Sequence, residues 1–320
     1  MIAVSSLRPT TTRGAIGLAV GVAILAALAV VPFVLPSYRT ALFVLTFMYI
    51  TLASSWNIIS GYTGYVSFGH AAFFGLGAYS AALLMIRLSV HWILACIAGG
   101  LLAAVVAVPL GFILLRLRGP YFAISMLGLS AALQIVASSW TPMTRGGSGL
   151  SLPPTLNLVE SYFAMALSML VVLFVSYLII TSRYGLRLIA IREDEGAAES
   201  MGINTTAHKV SAFVISAFFP GLVGGVYAWY LAYIDPTSVF RPILSIDMII
   251  MSMFGGAGTV FGPVIGGVVL TAIAEAFWAR LPELHQAVFG VLVIIIVLFM
   301  PGGVMNLLRT RGLLPRNWRI

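Results

Sequence analysis

The sequence predicts an all-α, polytopic integral membrane protein with about ten transmembrane helices, within a range of roughly eight to ten. Of its 320 residues, 61% are hydrophobic and 8% are charged, and the mean hydropathy is +1.08. A soluble domain carries about a quarter charged residues, so this composition excludes an ordinary solvated surface. The apolar runs are continuous and do not alternate, which disfavours a membrane β-barrel and leaves helices as the spanning element.

Ten apolar runs are candidate spans, since a helix that rises about 1.5 Å per residue needs about 20 mostly apolar residues to cross a bilayer. We predict spans over residues 14–35, 40–60, 66–86, 92–115, 119–140, 161–181, 209–232, 245–258, 260–279 and 284–301. The first run follows Arg8 and Arg13, as a signal peptide would. It exceeds the roughly 7–15 residues of a signal core, so we interpret it as a retained anchor.

The basic residues predict the orientation of these spans. The chain has seventeen basic and nine acidic residues, and its net charge is +8. The basic residues are scattered at the ends of apolar runs and form no stripe, so nucleic-acid binding is not expected. With both termini in the cytoplasm, twelve basic residues lie inside and five lie outside, as the positive-inside rule expects. The outer five are Arg39, Arg87, Arg145, Arg241 and Arg280.

We treat residues 1–320 as one transmembrane domain with two long loops. Residues 141–160 are rich in Gly, Ser and Pro and are predicted to be external, where they cover the pore mouth or contact an external partner. Residues 182–208 are predicted to be cytoplasmic. This second loop contains the stretch REDEGAAESMGI, residues 192–203, which holds four of the nine acidic residues.

That acidic stretch predicts a short cytoplasmic helix that docks on a motor subunit. Its first acids suit a helix N-terminus, where the macrodipole favours negative charge, and Gly202 suits the position that ends a helix. We expect Ala197, Ala198 and Met201 to share one face and the acids to pair with basic residues of the partner. The alternative is a solvated helix without a partner. The residues assigned to this ATPase-coupling contact are Arg192, Glu193, Asp194, Glu195, Ala197, Ala198, Met201 and Gly202.

The chain carries no pattern typical of an enzyme or a metal site. Its one lysine, Lys209, lacks the upstream glycines of a phosphate-binding loop, so this chain is not expected to hydrolyse ATP. Its four histidines are isolated and Cys96 is its single cysteine, so we expect neither a bound metal nor an intrachain disulfide. Only Asp247 and Glu275 enter apolar runs, which leaves little with which to couple an ion gradient. Energy is expected to come from another polypeptide.

Two glycine-rich segments allow two interpretations each. The first contains a polar patch, which we expect to face the translocation pathway or a subunit interface because it would be costly against lipid. For the first segment, close helix packing is the alternative interpretation. For the second segment, close helix packing is the favoured interpretation. The patch comprises Gly61, Tyr62, Thr63, Gly64, Ser67 and His70. The packing glycines are Gly255, Gly256, Gly258, Gly262 and Gly266. Asp247 is expected to cap its span or contact Arg241, with a substrate role as the alternative.

Three stretches of the chain resemble one known family. They are WNIISGYTGYVSFGHAAFFGLGAYSAALL at residues 56–84, AIREDEGAAESMGINTTAHKVSAFVISAFFPGLVGGVYA at 190–228 and GGAGTVFGPVIGGVVL at 255–270. Each is similar to the permease subunits of ABC importers for branched-chain amino acids, in the longer of the two paralogous permease types. The resemblance runs from about Thr40 to Asn306.

The resemblance implies a multi-pass subunit of a bacterial inner-membrane importer, in contact with membrane lipid. It implies a heterodimer with a paralogous permease subunit, two cytoplasmic ATP-binding subunits that use ATP and Mg, and a periplasmic solute-binding protein. No cofactor is expected on this chain itself. The implied cargo is a branched-chain or other apolar amino acid, although related systems carry urea, short amides or aromatic acids. The rival class is a secondary transporter or channel that acts without an ATPase.

Overall fold

The computed structural model describes residues 26–153, 158–278, 290 and 303–311. Most of these residues are helical. The helices, in chain order, are α1 over residues 26–34, α2 (Ser37–Trp56), α3 (His70–Leu88), α4 (Trp92–Leu114), α5 (Pro120–Ser139), α6 (Thr141–Thr144), α7 (Leu158–Thr181), α8 (Arg183–Glu193), α9 (Glu195–Ser200), α10 (Thr205–Leu231), α11 (Pro236–Val239), α12 (Pro242–Gly255), α13 (Gly262–Trp278) and α14 (Gly303–Thr310). A π-helical turn, Asn57–Gly61, extends α2, and a 3₁₀ turn covers Gly146–Ser148.

Two short strands complete the described part of the chain. β1 (Leu150–Ser151) pairs antiparallel with β2 (Tyr233–Ile234), with Leu150 opposite Ile234. The pair joins the loop before α7 to the end of α10.

Seven stretches of the described residues are long and apolar enough to cross a membrane. The prediction of an all-α, polytopic membrane protein is confirmed. The predicted span 284–301 and most of 14–35 lie outside the described residues, so the count of about ten and the side of the termini stay predictions. A further apolar helix, Gly262–Ala276, is shorter than the seven.

One predicted start is wrong by more than a few residues. The span predicted at 245–258 runs from Pro236 to Gly255. Prolines at the first positions of α11 and α12 start these helices because the fixed φ of proline suits a first turn, a signal that hydropathy does not register. The span predicted from residue 66 begins at His70, since residues 64–69 are apolar enough to count as a span but are not helical.

The centre of the fold is α10, which packs most extensively on α4 and α3 and also on α2 and α7. The spans containing α2 and α10 are the most buried of the seven, and α5 is the most exposed. α13 packs on α12 and α2. α5 leaves apolar side chains such as Tyr121 and Ile124 largely exposed on the outside of the bundle.

Glycine allows α3 and α10 to touch through their backbones. A Cβ atom at Gly77 would lie 2.0 Å from the carbonyl oxygen of Gly221, and one at Gly224 would lie 2.1 Å from that of Phe74. Real Cβ atoms do not approach oxygen so closely, so these positions require glycine if the two helices are to keep their distance. Small residues at a helix contact are the usual means of close packing in a membrane.

Polar contacts distinguish the two ends of this bundle. At one end of α5, Arg118 reaches Glu195 of α9. At the other end, Nη2 of Arg87 donates a hydrogen bond to the carbonyl of Pro142, 2.7 Å away. The loop that begins at residue 141 and the acidic helix α9 therefore lie at opposite ends of the bundle.

We expect Gly77→Ala to lower the apparent melting temperature in detergent, because the added methyl must separate α3 from α10. Overpacking of this kind costs about 1–3 kcal/mol. The matched control is Gly128→Ala, since nothing lies within 4 Å of a Cβ at Gly128 and alanine favours a helix. Fluorescence-detected size-exclusion chromatography after heating measures both. Equal melting temperatures for the two variants would contradict the close contact.

Candidate functional site

The acidic stretch forms a short helix with well-defined ends. The Asp194 side chain caps α9 by accepting a hydrogen bond from the backbone N–H of Ala197 (2.9 Å). At the other end, Gly202 has a φ of +81°, its N–H donates to the carbonyl of Glu199 (2.9 Å), and the N–H of Ile203 donates to that of Ala198 (3.1 Å). This pair of bonds is a Schellman motif, which glycine favours. The helix and its terminal glycine are as predicted.

The residues of α9 divide between two faces. Ala198 is only 4% exposed and packs inward, whereas Met201 is 83% exposed and Ala197 is exposed with it. The prediction that these three share one face is wrong for Ala198, which is buried against the spans while Ala197 and Met201, four residues apart, are exposed. The outward surface of α9 is therefore formed by Ala197 and Met201. Among the residues beside it, Arg192, Glu193, Asp194, Glu199 and Gly202 are exposed.

Glu195 faces the membrane helices and not the outside. Its Oε1 lies 2.5 Å from Nζ of Lys209 in α10, and its Oε2 accepts a hydrogen bond from the Tyr65 hydroxyl (2.8 Å). Nε of Arg118 lies 3.6 Å from the same Oε2. The Glu195 side chain is 14% exposed and that of Lys209 is 5% exposed. The expectation that all the acids of this stretch face a partner is therefore wrong for Glu195.

Lys209 has a full set of acceptors around its ammonium group. Besides Glu195, it donates to the carbonyl of Leu115 (3.2 Å) and to the Tyr65 hydroxyl (3.0 Å), and Nζ lies 4.8 Å from the centre of the Tyr65 ring. An ammonium has three donors, and all three are engaged. Sequence analysis did not identify this role. One feature of the sequence could have indicated it: the only lysine of the chain lies near the start of an apolar helix, 14 residues after Glu195.

The surroundings of Glu195 keep it ionised. Burial by itself raises the pKa of a carboxyl group, but the hydrogen bonds from Lys209 and Tyr65, with the nearby charges of Lys209 and Arg118, lower the pKa of Glu195 below its ordinary value. The ion pair is therefore present at neutral pH.

Arg192 makes a second connection between the loop of residues 182–208 and the spans. Its Nη1 donates a hydrogen bond to the carbonyl of Gly61 (2.7 Å), the last residue of the π-helical turn. A Cβ atom at Gly258 would lie 2.8 Å from the same nitrogen. Gly258 has a φ of +85°, so a side chain there would be strained as well as crowded.

Asn57 joins the two glycine-rich segments at this point. Its Oδ1 accepts from the N–H of Gly258 (2.7 Å), and its Nδ2 donates to the carbonyl of Thr259 (2.8 Å). Asn57 is buried and begins the π-helical turn, a local widening of the helix that is common at functional sites. All three family-like stretches therefore meet at the α9 end of the bundle. Sequence analysis missed Asn57. The feature that could have indicated its role is an amide side chain within an apolar run.

The polar patch of the first segment is largely enclosed within this chain. His70 is fully buried, with Nδ1 2.8 Å from Oγ of Ser67 and Nε2 3.3 Å from Oγ of Ser216. Gly61, Tyr62 and Thr63 are also buried. Gly64 is exposed, has a φ of +80° and lies against the Arg192 side chain. A role of this segment in the pathway or in a subunit interface stays a prediction.

The second glycine segment forms the tight connection between α12 and α13. A Cβ atom would lie 1.6 Å from the carbonyl of Gly262 if placed at Gly255, and 1.7 Å from that of Met251 if placed at Gly266. Gly262 approaches the carbonyl of Gly256 in the same way (2.2 Å). These residues allow the two helices to turn back on each other with their backbones in contact.

Comparison with known proteins gives one matching family and several relatives. Residues 38–297 match the family described as branched-chain amino acid transport system / permease component. The chain is 27% identical to the high-affinity branched-chain amino acid transport system permease protein LivM of Escherichia coli over 309 residues, which cover 87% of this chain and 72% of LivM. The LivM protein of Salmonella typhimurium gives the same figures. The corresponding LivH protein of Escherichia coli is 27% identical over 288 residues, covering 81% and 91%. No solved structure matches.

We expect Lys209→Met to destabilise the protein by about 3 kcal/mol, because it leaves the carboxylate of Glu195 without its main partner. The double variant Glu195→Gln/Lys209→Met should recover most of that loss, since it removes both charges. Thermal unfolding in detergent is measured for the native protein, the two single variants and the double variant. Independent, additive effects of the two substitutions would contradict the pairing.

The Glu195 pair also predicts a pH dependence. Folding lowers the pKa of Glu195 below 4.5, the ordinary pKa of a glutamate side chain. The contribution of the ionised carboxylate to the stability of the fold is therefore complete above pH 4.5 and is lost as the pH falls through the lowered pKa. The melting temperature of the native protein should therefore fall more steeply on acidification below pH 4.5 than that of Glu195→Gln. If the melting temperatures of the two proteins fall in parallel below pH 4.5, the lowered pKa of Glu195 is contradicted.

Proposed function

This chain belongs to the family of branched-chain amino acid transport permeases, in its longer, LivM-like type, and we propose that it is the membrane-spanning permease subunit of an ABC importer. It moves branched-chain or related apolar amino acids inward and does not itself hydrolyse ATP. Its partners are a paralogous permease, two cytoplasmic ATP-binding subunits and a periplasmic solute-binding protein. It resides in a bacterial inner membrane with about ten spans and both termini in the cytoplasm.

The observation that carries this proposal is the two-sided character of α9. Its inner side is bound to the spans through Glu195 and Lys209, while Ala197 and Met201 on its outer side are exposed. A helix held rigidly from within and offering a small apolar surface outward is suited to receive force from a docked partner. We assign that surface to the contact with an ATP-binding subunit, with Glu193 and Asp194 beside it for basic residues of the partner.

Movement of α9 would be passed to several spans at once. Glu195 is joined to α10 through Lys209, and Arg192 is joined to the end of α2 through Gly61. Asn57 links that end of α2 to the turn between α12 and α13. The π-helical turn and the following non-helical residues 64–69 interrupt regular helix there, which provides a place for the spans to change their relative positions.

The proposal is tested in proteoliposomes. The complete set of subunits, with its binding protein and internal ATP, should accumulate leucine, and this chain with its partner permease alone should not. Gradient-driven uptake by the permeases without any ATP-binding subunit would instead establish the rival class of secondary transporter or channel. Uptake of urea, a short amide or an aromatic acid in preference to leucine would replace the proposed cargo.

We expect Met201→Glu to reduce ATP-driven uptake by about tenfold or more, because it places a charge at the centre of the proposed contact. Met201→Leu is the matched control and should transport normally, since it preserves the apolar surface. The side chain is exposed in this chain, so neither variant should alter folding or insertion. Uptake, ATP hydrolysis and co-purification of the ATP-binding subunit are measured together. Normal uptake by Met201→Glu would show that this face of α9 is not the docking surface.

A further inference from the structure

The loop after α5 and the segment after α10 form one folded unit at the end of the bundle opposite α9. β1 of the loop pairs with β2, and the N–H of Leu152 donates a hydrogen bond to the carbonyl of Ala232 (2.8 Å). The 3₁₀ turn of the loop also contacts α11, which follows β2. We call residues 140–152, together with β2 and α11, the Arg145 platform.

Hydrogen bonds hold the loop of this platform in one conformation. Oγ1 of Thr144 donates to the carbonyl of Ala137 in α5 (2.6 Å) and accepts from the N–H of Gly146 (3.2 Å). Nη2 of Arg87, from α3, binds the carbonyl of Pro142. A surface that is ordered before it binds loses little conformational entropy on binding, so this loop is suited to dock a partner.

The backbone of Arg145 adopts a conformation that does not favour an arginine. Its φ is +59°, in the left-handed region, which costs free energy for most side chains and suits glycine or asparagine. The neighbouring Gly146 and Gly149 also have positive φ, as this tight turn requires. Strain of this kind concentrates at functional sites, so an arginine at this position points to a use for its side chain.

The guanidinium of Arg145 is exposed and unpaired. In the described parts of the chain it makes no hydrogen bond and no ion pair. The acid of the platform, Asp235, is already engaged, because its carboxylate accepts hydrogen bonds from the N–H groups of Thr237 (2.9 Å) and Ser238 (3.0 Å). The platform therefore offers a positive charge to a partner outside this chain.

Two exposed aromatic side chains belong to the same platform. Trp140 is 52% exposed and Tyr233 is 45% exposed. The Tyr233 hydroxyl donates to the carbonyl of Ser148 (3.3 Å), and the N–H of Ser148 donates to the carbonyl of Arg145 (3.3 Å), so Tyr233 lies beside the turn that contains Arg145. Tryptophan, tyrosine and arginine are the residue types most enriched among those that dominate binding energy at protein interfaces. All three are exposed here on an ordered surface.

We propose that the Arg145 platform docks an acidic patch of the solute-binding protein, in which a carboxylate pairs with the Arg145 guanidinium. The acidic character of the patch follows from the unpaired positive charge, since complementary charges steer and orient association. The partner is the solute-binding protein because the platform lies opposite the α9 surface that we assign to an ATP-binding subunit. The inference rests on the proposed function and deepens it by placing one contact on named residues.

The test measures leucine uptake by the complete importer in proteoliposomes while the concentration of its solute-binding protein is varied. Arg145→Glu should raise the half-saturating concentration of the binding protein by about tenfold or more, because it sets a carboxylate against an acidic patch. The maximal rate of uptake should stay native. Arg39→Glu is the matched control and should leave that concentration unchanged, since Arg39 is an exposed arginine at the same end of the bundle, in the first turn of α2.

Arg145→Asn separates docking from folding. Asparagine tolerates a positive φ, so this variant should melt in detergent at the native temperature or above it, while the loss of charge still raises the half-saturating concentration. A lower melting temperature together with weaker docking would indicate a structural role for Arg145 and overturn the proposal. A native half-saturating concentration in Arg145→Glu, or equal increases in Arg145→Glu and Arg39→Glu, would overturn it as well.

Lipid composition distinguishes a protein partner from the membrane surface. The effect of Arg145→Glu should persist in proteoliposomes made without anionic lipid. If the effect disappears there, Arg145 binds lipid phosphates and the proposal is wrong. Failure of the native importer to take up any amino acid, even with saturating binding protein, would instead overturn the proposed function.

Discussion

The pair formed by Glu195 and Lys209 is the interaction on which the arrangement of the α9 end of the bundle depends. Lys209 lies in α10, the most extensively packed helix, with its side chain almost fully buried. An ammonium in that position must have a counter-charge, since an unpaired buried charge costs several kcal/mol. Glu195 supplies it from the first residue of α9, so satisfying Lys209 also determines where α9 begins and which side of it faces the spans.

The pair matters more because α9 is too short to be stable by itself. Six residues form less than two turns, and helices of that length do not persist in water without external contacts. Asp194 and the Schellman motif at Gly202 satisfy its ends, and the Glu195 carboxylate binds it to α10 and Tyr65. What remains free is the opposite face. The same contacts that stabilise the helix thus determine which surface it can offer to a partner.

The polar contacts at the α9 end of the bundle bind distant segments of the chain to one another. Asn57 and Arg192 are bonded to backbone groups of other segments, whereas Glu193 is exposed. Close backbone contact between α3 and α10 lies in the core of the bundle. The hydrogen-bonded network at the α9 end is thus continuous with the closely packed centre of the bundle through α10.

The amino-acid sequence by itself determined the fold class, most of the span positions and the presence of α9, because continuous hydropathy, an N-terminal acid and a terminal glycine are local properties of the chain. The sequence also carried the likeness to a known family, which the match over residues 38–297 confirms. Only the tertiary structure decided that Glu195 turns inward, that Ala198 and Met201 lie on different faces, and that His70 is enclosed. It also brought Asn57 to Gly258, 201 residues away in the chain. These outcomes depend on which helices pack side by side, and hydropathy carries no information about which helix becomes the neighbour of another.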